Sequence, residues 1–167
     1  HQLLHPMPVN ALELSPDGRQ LATACQDQHA RLWDIASGRL IGAPMRHEGS
    51  VLSVAFSPDG RRLLSGALDG TARLWSTGDA EAAAEALLAG TDVRLARFSP
   101  DGRRAAVLAA NGQLTFWRLD EAAPTRSDAA LAAEVSASAL HAGGGLLAVA
   151  ALAAAAHGTA DASADAD

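Results

Sequence analysis

One histidine, one serine and one aspartate near the middle of the chain are the residue types of a hydrolase triad. They are His47, Ser65 and Asp69, and Trp75 follows them. In such a triad the histidine takes the serine proton and the aspartate orients the histidine. The same set occurs earlier in the same order, as His5, Thr23, Asp27 and Trp33. Because a catalytic site does not need a second copy, we interpret the set as structural and predict no catalytic residue.

The other histidines and aspartates give little indication of a metal or cofactor site. No two of His29, His141 and His157 have the i, i+4 spacing of a helical zinc site, and Cys25 is the one cysteine. Three further aspartates each precede a glycine in a turn, where aspartate is common for conformational reasons, at positions 17, 59 and 101. We therefore expect neither a metal nor a cofactor.

The chain repeats itself with a period of 42 residues. Ser-Pro-Asp-Gly begins at Ser15, Ser57 and Ser99, and the three tryptophans, at 33, 75 and 117, keep the same spacing. Such a period is typical of the four-stranded blades of a β-propeller, whose units run to about 40–45 residues. Short apolar runs between turn residues predict three strands per unit, at 9–14, 20–25 and 30–33, at 51–56, 62–67 and 71–75, and at 93–98, 104–109 and 113–117. An outer fourth strand is expected at 40–43 and at 82–88.

These repeats predict an all-β chain made of consecutive units. We expect the first unit at 1–46, with the remnant of a preceding outer strand, the second at 47–88 and the third at 89–130. Residues 131–157 form a degenerate fourth unit, and the polar, alanine-rich residues 158–167 are expected to be disordered.

Composition limits the class of partner. The net charge is −6 and the arginines form no cluster, which argues against nucleic acid. The apolar run 146–156 is too short to cross a bilayer as a helix, and no signal peptide opens the chain, so we expect a cytoplasmic protein. All thirteen basic residues are arginine, a bias that suggests a bacterial gene.

The repeated units resemble WD40 repeats. The second unit carries the resemblance most fully, with His47, Val51 to Gly60, Leu64-Ser65-Gly66, Asp69-Gly70-Thr71 and Arg73-Leu74-Trp75. Trp-Asp itself occurs once, at Trp33-Asp34. The resemblance implies a fragment of a WD40-type β-propeller, with three four-stranded antiparallel blades plus a degenerate fourth.

The resemblance also implies a role for the repeated polar set. In WD40 blades the histidine, aspartate, serine or threonine and tryptophan form a buried hydrogen-bonded relay that fastens the blade. The relay residues would be His5, Thr23, Asp27 and Trp33 in the first unit and His47, Ser65, Asp69 and Trp75 in the second. The third unit has Ala89, Val107 and Asn111 at the corresponding positions, so we expect apolar packing to hold it.

WD40 proteins commonly bind partners on the rim formed by the loop before the first strand and the turn between the second and third. By register these positions are Pro8, Asn10, Gln26, Ser50, Leu52, Leu68, Asp92, Arg94 and Ala110. Leu52 and Leu68 would form a small apolar contact patch there.

We therefore expect a non-catalytic scaffold that binds a protein or peptide, within a larger bacterial multidomain protein of signalling type that supplies the remaining blades. Two alternatives stay open: an enzyme whose site lies in blades outside this sequence, and a decayed repeat segment without a binding role. Because the first blade should present outward apolar strand positions such as Leu12, Leu14 and Leu32, or their reverse-side neighbours, we also expect the isolated chain to self-associate or aggregate.

Overall fold

The computed structural model describes residues 2–78, 85–119 and 124–127, and all regular structure in these ranges is β-strand. Blade 1 contains β1 (Val9–Leu14), β2 (Gln20–Cys25), β3 (His29–Asp34), β4 (Arg39–Leu40) and β5 (Met45–Arg46). Blade 2 contains β6 (Val51–Phe56), β7 (Arg62–Ala67), β8 (Thr71–Ser76) and β9 (Glu85–Leu88). Blade 3 contains β10 (Val93–Phe98), β11 (Arg104–Ala109), β12 (Leu114–Arg118) and β13 (Thr125–Ser127).

Each blade is an antiparallel meander in which consecutive strands pair. The register repeats from blade to blade: Leu14 faces Leu21, Phe56 faces Leu63 and Phe98 faces Ala105. The all-β prediction and the three inner strands of every unit are confirmed. The proposed unit boundaries stay a prediction, and the expected fourth unit and tail, 131–167, lie outside the described residues.

The outer strands follow the predictions less closely. In blade 2 the strand begins at Glu85, and the first part of the predicted range 82–88 lies outside the described residues. In blade 1 the predicted strand 40–43 is replaced by two short pieces, β4 and β5, which both pair with β3. Gly42 lies between them with a φ of 67°, a conformation that interrupts an extended strand.

The turn after the first strand is held by the same hydrogen bonds in all three blades. The Ser57 hydroxyl donates to the Asp59 carboxylate at 2.5 Å and accepts from the backbone N–H of Arg62 at 2.9 Å. Gly60 adopts a φ of 69°, which glycine accepts without a steric penalty. The same bonds recur in the turns at Ser15 and Ser99.

The apolar core lies between the blades rather than within any one of them, because a single sheet cannot cover its own faces. One cluster packs blade 1 against blade 2, and it includes Ala24, Leu32, Val54, Phe56 and Leu63. A second joins blade 2 to blade 3, and it includes Leu64, Leu74, Val93, Ala96 and Val107. Leu32 is therefore buried, and the expectation that it faces outward was wrong.

Polar contacts also cross the blade boundaries. The Arg62 guanidinium donates to the Gly102 carbonyl at 2.5 Å and lies over the Phe98 ring. The Arg97 guanidinium, on β10, donates to Glu13, on β1, at 2.6 Å and to the Val54 carbonyl at 2.9 Å. The inner strands of all three blades are thus tied together.

Candidate functional site: a buried relay and an exposed rim

The blade 2 relay is a continuous chain of side-chain hydrogen bonds. The Trp75 indole N–H donates to the Ser65 hydroxyl at 2.7 Å. Ser65 lies 2.6 Å from His47 Nε2, and His47 Nδ1 lies 3.0 Å from the Asp69 carboxylate. Because the Asp69 carboxylate can only accept, the imidazole hydrogen lies on Nδ1 and is donated to Asp69. Nε2 of the neutral ring is then an acceptor, and it takes the hydrogen of the Ser65 hydroxyl. The donors therefore all point from the tryptophan toward the aspartate.

Asp69 is the terminal acceptor of this relay. It also accepts hydrogen bonds from the Thr71 hydroxyl at 2.7 Å and from the backbone N–H of Glu48 at 2.9 Å. Burial by itself raises the pKa of Asp69, but the bonds from Thr71 and Glu48 outweigh it and lower the pKa to about 2. Asp69 is therefore ionised at neutral pH, as its role as an acceptor requires.

Burial lowers the pKa of His47, and the neighbouring Asp69 carboxylate only partly offsets that effect. The imidazole is completely buried, so its charged form would lose hydration that one carboxylate does not replace. The neutral imidazole is also the form that can accept from Ser65 while donating to Asp69. The pKa and the hydrogen bonds thus indicate the same protonation state.

The relay has the residue types of a hydrolase triad, but its serine and histidine are not accessible to a substrate. Ser65 and His47 are both fully buried, and the Ser65 hydroxyl is bonded to Trp75 and His47. A nucleophile has to reach the substrate carbon, so this serine is unsuited to attack in the structure seen here. What the arrangement does is join the loop before β6 to β7 and to the turn between β7 and β8.

Blade 1 keeps part of this arrangement. The Trp33 indole N–H lies 3.0 Å from the Thr23 hydroxyl, which lies 2.8 Å from His5 Nε2. The remaining ring nitrogen of His5 faces the Leu3 carbonyl, and the Asp27 carboxylate accepts from Arg31 instead of His5. Residue 29 explains part of the difference: blade 1 has His29 where blade 2 has Thr71, and histidine lacks the hydroxyl that Asp69 binds.

Two members of the relay network were not predicted from the sequence. Thr71 lies next to the Asp-Gly turn and binds Asp69, and its hydroxyl is 3.3 Å from His47 Nδ1. The backbone N–H of Glu48 is the other. The Asp-Gly-Thr order, in which the threonine can turn back onto the aspartate, was the available signal for Thr71.

Blade 3 has lost the relay. Ala89 and Val107 are buried in the apolar cluster at the histidine and serine positions. The Trp117 indole nitrogen is buried and has no hydrogen-bond partner among the described residues. Asn111 accepts only from the backbone N–H of Gln113, at 2.9 Å. Apolar packing and strand pairing remain to hold this blade.

The predicted rim residues lie together in each blade, with the same backbone geometry. The N–H of the residue before the second turn donates to the carbonyl before the first strand in all three blades: Gln26 to Pro8 at 3.0 Å, Leu68 to Ser50 at 3.0 Å and Ala110 to Asp92 at 2.7 Å. The ladder between the first two strands is irregular at the same place in each blade, at Asn10, Leu52 and Arg94. Such bulges re-aim a side chain at the end of a strand.

The side chains at these rim positions differ in solvent exposure and in hydrogen bonding. Asn10 donates to the Val51 carbonyl at 2.7 Å, so it joins blade 1 to blade 2. Leu68 is 42% exposed, whereas Leu52 is half-buried, which makes the expected apolar patch smaller than two exposed leucines. Arg94 is exposed and bonds to no described residue. Leu52, Leu68 and Arg94 therefore keep surface that a partner could contact.

Two further properties bear on function. Within the described ranges, no group of three or more histidine, cysteine, aspartate or glutamate side chains is arranged to hold a metal ion. No helix there is long and apolar enough to cross a membrane.

Three consecutive antiparallel sheets, of five, four and four strands, packed face to face with a repeated register, define the β-propeller class. The crystal structure of the β-propeller domain of Myceliophteria thermophila Cps50 (Swd1) is similar to this chain, with a TM-score of 0.66 and 19% identity. The similar region covers 74% of this chain and 38% of that domain.

The sequence comparisons refine the class to a family. The family model "WD domain, G-beta repeat" matches residues 2–34 and 38–76. A stretch of 52 residues is 43% identical to the nuclear distribution protein PAC1 of Yarrowia lipolytica (strain CLIB 122 / E 150), and it covers 31% of this chain but 12% of that protein. Residues 2–34 and 38–76 thus match WD40 repeats, a family of generally non-catalytic interaction scaffolds.

Proposed function

We propose that this chain is a non-catalytic recognition module that binds a protein or peptide through the rim defined above. The observation that carries the proposal is a contrast within the repeat. The Ser-Pro-Asp-Gly turn and the tryptophan recur in all three blades, but each rim position carries a different residue in every blade. The three sets are Pro8, Ser50 and Asp92, then Asn10, Leu52 and Arg94, then Gln26, Leu68 and Ala110.

That contrast is what a recognition surface needs, because a partner is selected by different side chains held on one rigid backbone. The Ser-Pro-Asp-Gly turns of the opposite rim lack this variety, since they are identical in all three blades and are already bonded internally. Arg94 supplies a forked donor for a carboxylate, and Leu68 supplies exposed apolar surface on the same rim. The buried relay would then be the support that holds the rim in blade 2.

In this proposal the chain acts in the cytoplasm as part of a larger bacterial multidomain protein, and further blades complete the platform. Two observations support this: every basic residue is arginine, and the region similar to the Cps50 (Swd1) β-propeller domain covers 38% of that chain.

The test is affinity capture followed by quantitative binding of the captured protein to rim variants. Leu52→Asp and Arg94→Glu should each weaken binding by about 2 kcal/mol, roughly thirtyfold, if they are hot spots. Arg61→Glu is the matched control, because Arg61 is an exposed arginine on the opposite rim. Normal binding by both rim variants, with loss in the Arg61 variant, would show that the opposite rim is the contact surface.

A further inference from the structure

The first strand of blade 2, β6, is the edge strand of its sheet, so one side of its backbone faces away from the other strands of that blade. Ser57, which follows β6, donates its N–H to the Arg62 carbonyl at 2.8 Å. Because hydrogen-bonded and non-hydrogen-bonded pairs alternate along an antiparallel ladder, Phe56 and Val54 occupy non-hydrogen-bonded pairs. Their N–H and C=O groups therefore point away from β7, and unpaired groups of this kind are a template for another strand.

Side chains from the two flanking blades bind these edge groups. Glu13, on β1 of blade 1, accepts from the Phe56 N–H at 3.2 Å through Oε1. Arg97, on β10 of blade 3, donates to the Val54 carbonyl at 2.9 Å. Arg97 also donates to Oε2 of Glu13 at 2.6 Å, so the two side chains form an ion pair along the edge of β6. An acceptor thus faces the edge donor, and a donor faces the edge acceptor.

Glu13 and Arg97 occupy one position of the 42-residue repeat, and Ala55 is the residue at that position in blade 2. The series acid, small and base places complementary charges on the two blades that flank blade 2. Alanine has no polar side-chain atom, so Ala55 cannot supply blade 3 with the acceptor that Glu13 supplies to blade 2. The free edge of β10 therefore serves as an internal comparison for the free edge of β6.

We propose that Glu13 and Arg97 form a cap of fixed polarity on the free edge of β6, which holds the first strands of the three blades in one arrangement. The polarity is fixed because Phe56 offers a hydrogen and Val54 offers a lone pair, whereas an ion pair alone could be reversed. The two side chains are 33% and 35% exposed, so solvent weakens the attraction between their charges, and the bonds to the backbone carry most of the effect. The proposal goes beyond the rim and is independent of what binds there.

Hydrogen exchange of single backbone N–H groups, followed by NMR on the purified protein, tests the cap directly. Glu13→Ala should speed exchange of the Phe56 N–H roughly tenfold or more, because that group loses its acceptor. Glu13→Gln keeps a side-chain oxygen that can accept from Phe56, so exchange in that variant should stay close to the original rate. The Phe98 N–H is the matched control, since it has the same place on β10 and faces Ala55 rather than a glutamate in the repeat, and its rate should not change.

Reversing the charges distinguishes a cap from a simple ion pair. Glu13→Arg combined with Arg97→Glu restores opposite charges but sets a donor against the Phe56 N–H, so the denaturant midpoint should stay as low as in the single variants. The matched control reverses Arg46 and Glu48, whose exposed side chains bind each other at 3.3 Å, and it should leave the midpoint unchanged. Recovery of the midpoint and of slow Phe56 exchange in the reversed Glu13–Arg97 pair would overturn the proposal, and so would an unchanged Phe56 rate in Glu13→Ala.

Discussion

Blades 2 and 3 share one register and one set of turns, yet they are held together differently. Blade 2 has the buried relay from Trp75 to Asp69, whereas blade 3 has alanine and valine at the matching positions and a tryptophan N–H without a described partner. Both blades keep the backbone bond at the loop before the first strand, from His47 to Gln28 at 2.8 Å and from Ala89 to Gly70 at 3.0 Å.

The comparison distinguishes the interactions that determine the fold of a blade from those that add stability to it. Strand pairing and apolar packing are enough to give blade 3 the same meander, so the relay is not needed to define the fold. Its added contribution in blade 2 is local: it joins the loop at His47 to the turn at Asp69 through charge-assisted bonds, which are stronger than neutral ones. We therefore expect changes in the relay to affect stability much more than changes at matching positions of blade 3.

The largest expected effect is that of Asp69→Ala. The substitution leaves His47, Thr71 and the Glu48 N–H without their acceptor, at a cost of about 1–3 kcal/mol for each group that stays buried and unpaired. Denaturant unfolding monitored by tryptophan fluorescence measures the loss. Asn111→Ala in blade 3 is the matched control, and it should cost less than about 1 kcal/mol because one exposed turn bond is removed. Equal losses in the two variants would contradict the distinction between the blades.

The second expected effect is a loss of stability in mild acid. Because burial lowers the pKa of His47, the unfolded chain binds a proton near the ordinary value of 6.5 while the folded chain does not. The free energy of unfolding should therefore be fully present above that pH and should fall as the pH drops below it. Asp69 acts in the same direction at lower pH, from its ordinary value of 3.8 down to about 2.

The measurement for this effect is the unfolding free energy at several pH values between about 7.5 and 5.5, the range where histidine titrates. His47→Gln should be less stable at neutral pH but should show a shallower decline toward acid pH. An unchanged slope in that variant would show that another group causes the acid sensitivity.

The smallest expected effect is a gain in blade 3. Val107→Thr keeps the branched shape and offers the Trp117 N–H an acceptor, as Thr23 does for Trp33 at 3.0 Å. We expect a gain of up to about 1 kcal/mol, the usual net value of one hydrogen bond. The gain should disappear in the Trp117→Phe background, which removes the donor. If threonine destabilises both backgrounds equally, Trp117 gains nothing from an acceptor at position 107.

Several features of the fold were predictable because they depend on local chemistry. The Ser-Pro-Asp-Gly turns and the Asp-Gly or Asn-Gly turns fix where strands end, so the three inner strands of each unit were predicted within a residue or two. The outer strand of blade 1 was not, because pairing to β3 through two short pieces around Gly42 has no local signature.

The site was less predictable than the fold. The relay residues were recognisable from their repetition, but the partner of Asp27 was not, because Arg31 and His5 are both available to a carboxylate in that turn. The half-buried state of Leu52 likewise depends on the bulge where β6 meets β7, which re-aims that side chain.

The sequence by itself determined the period, the turns, the direction in which strands pair and the positions available for a relay. These follow from residues close together in the chain, and three in-phase copies make each of them unambiguous. The tertiary structure decided which apolar positions are covered. Leu12, Val54 and Ala96 occupy one position of the repeat, and only the packing of a preceding blade against the last two distinguishes them from the first. It also decided which polar groups find partners, since the bonds of Arg62 and Arg97 cross between blades and depend on how the sheets stack.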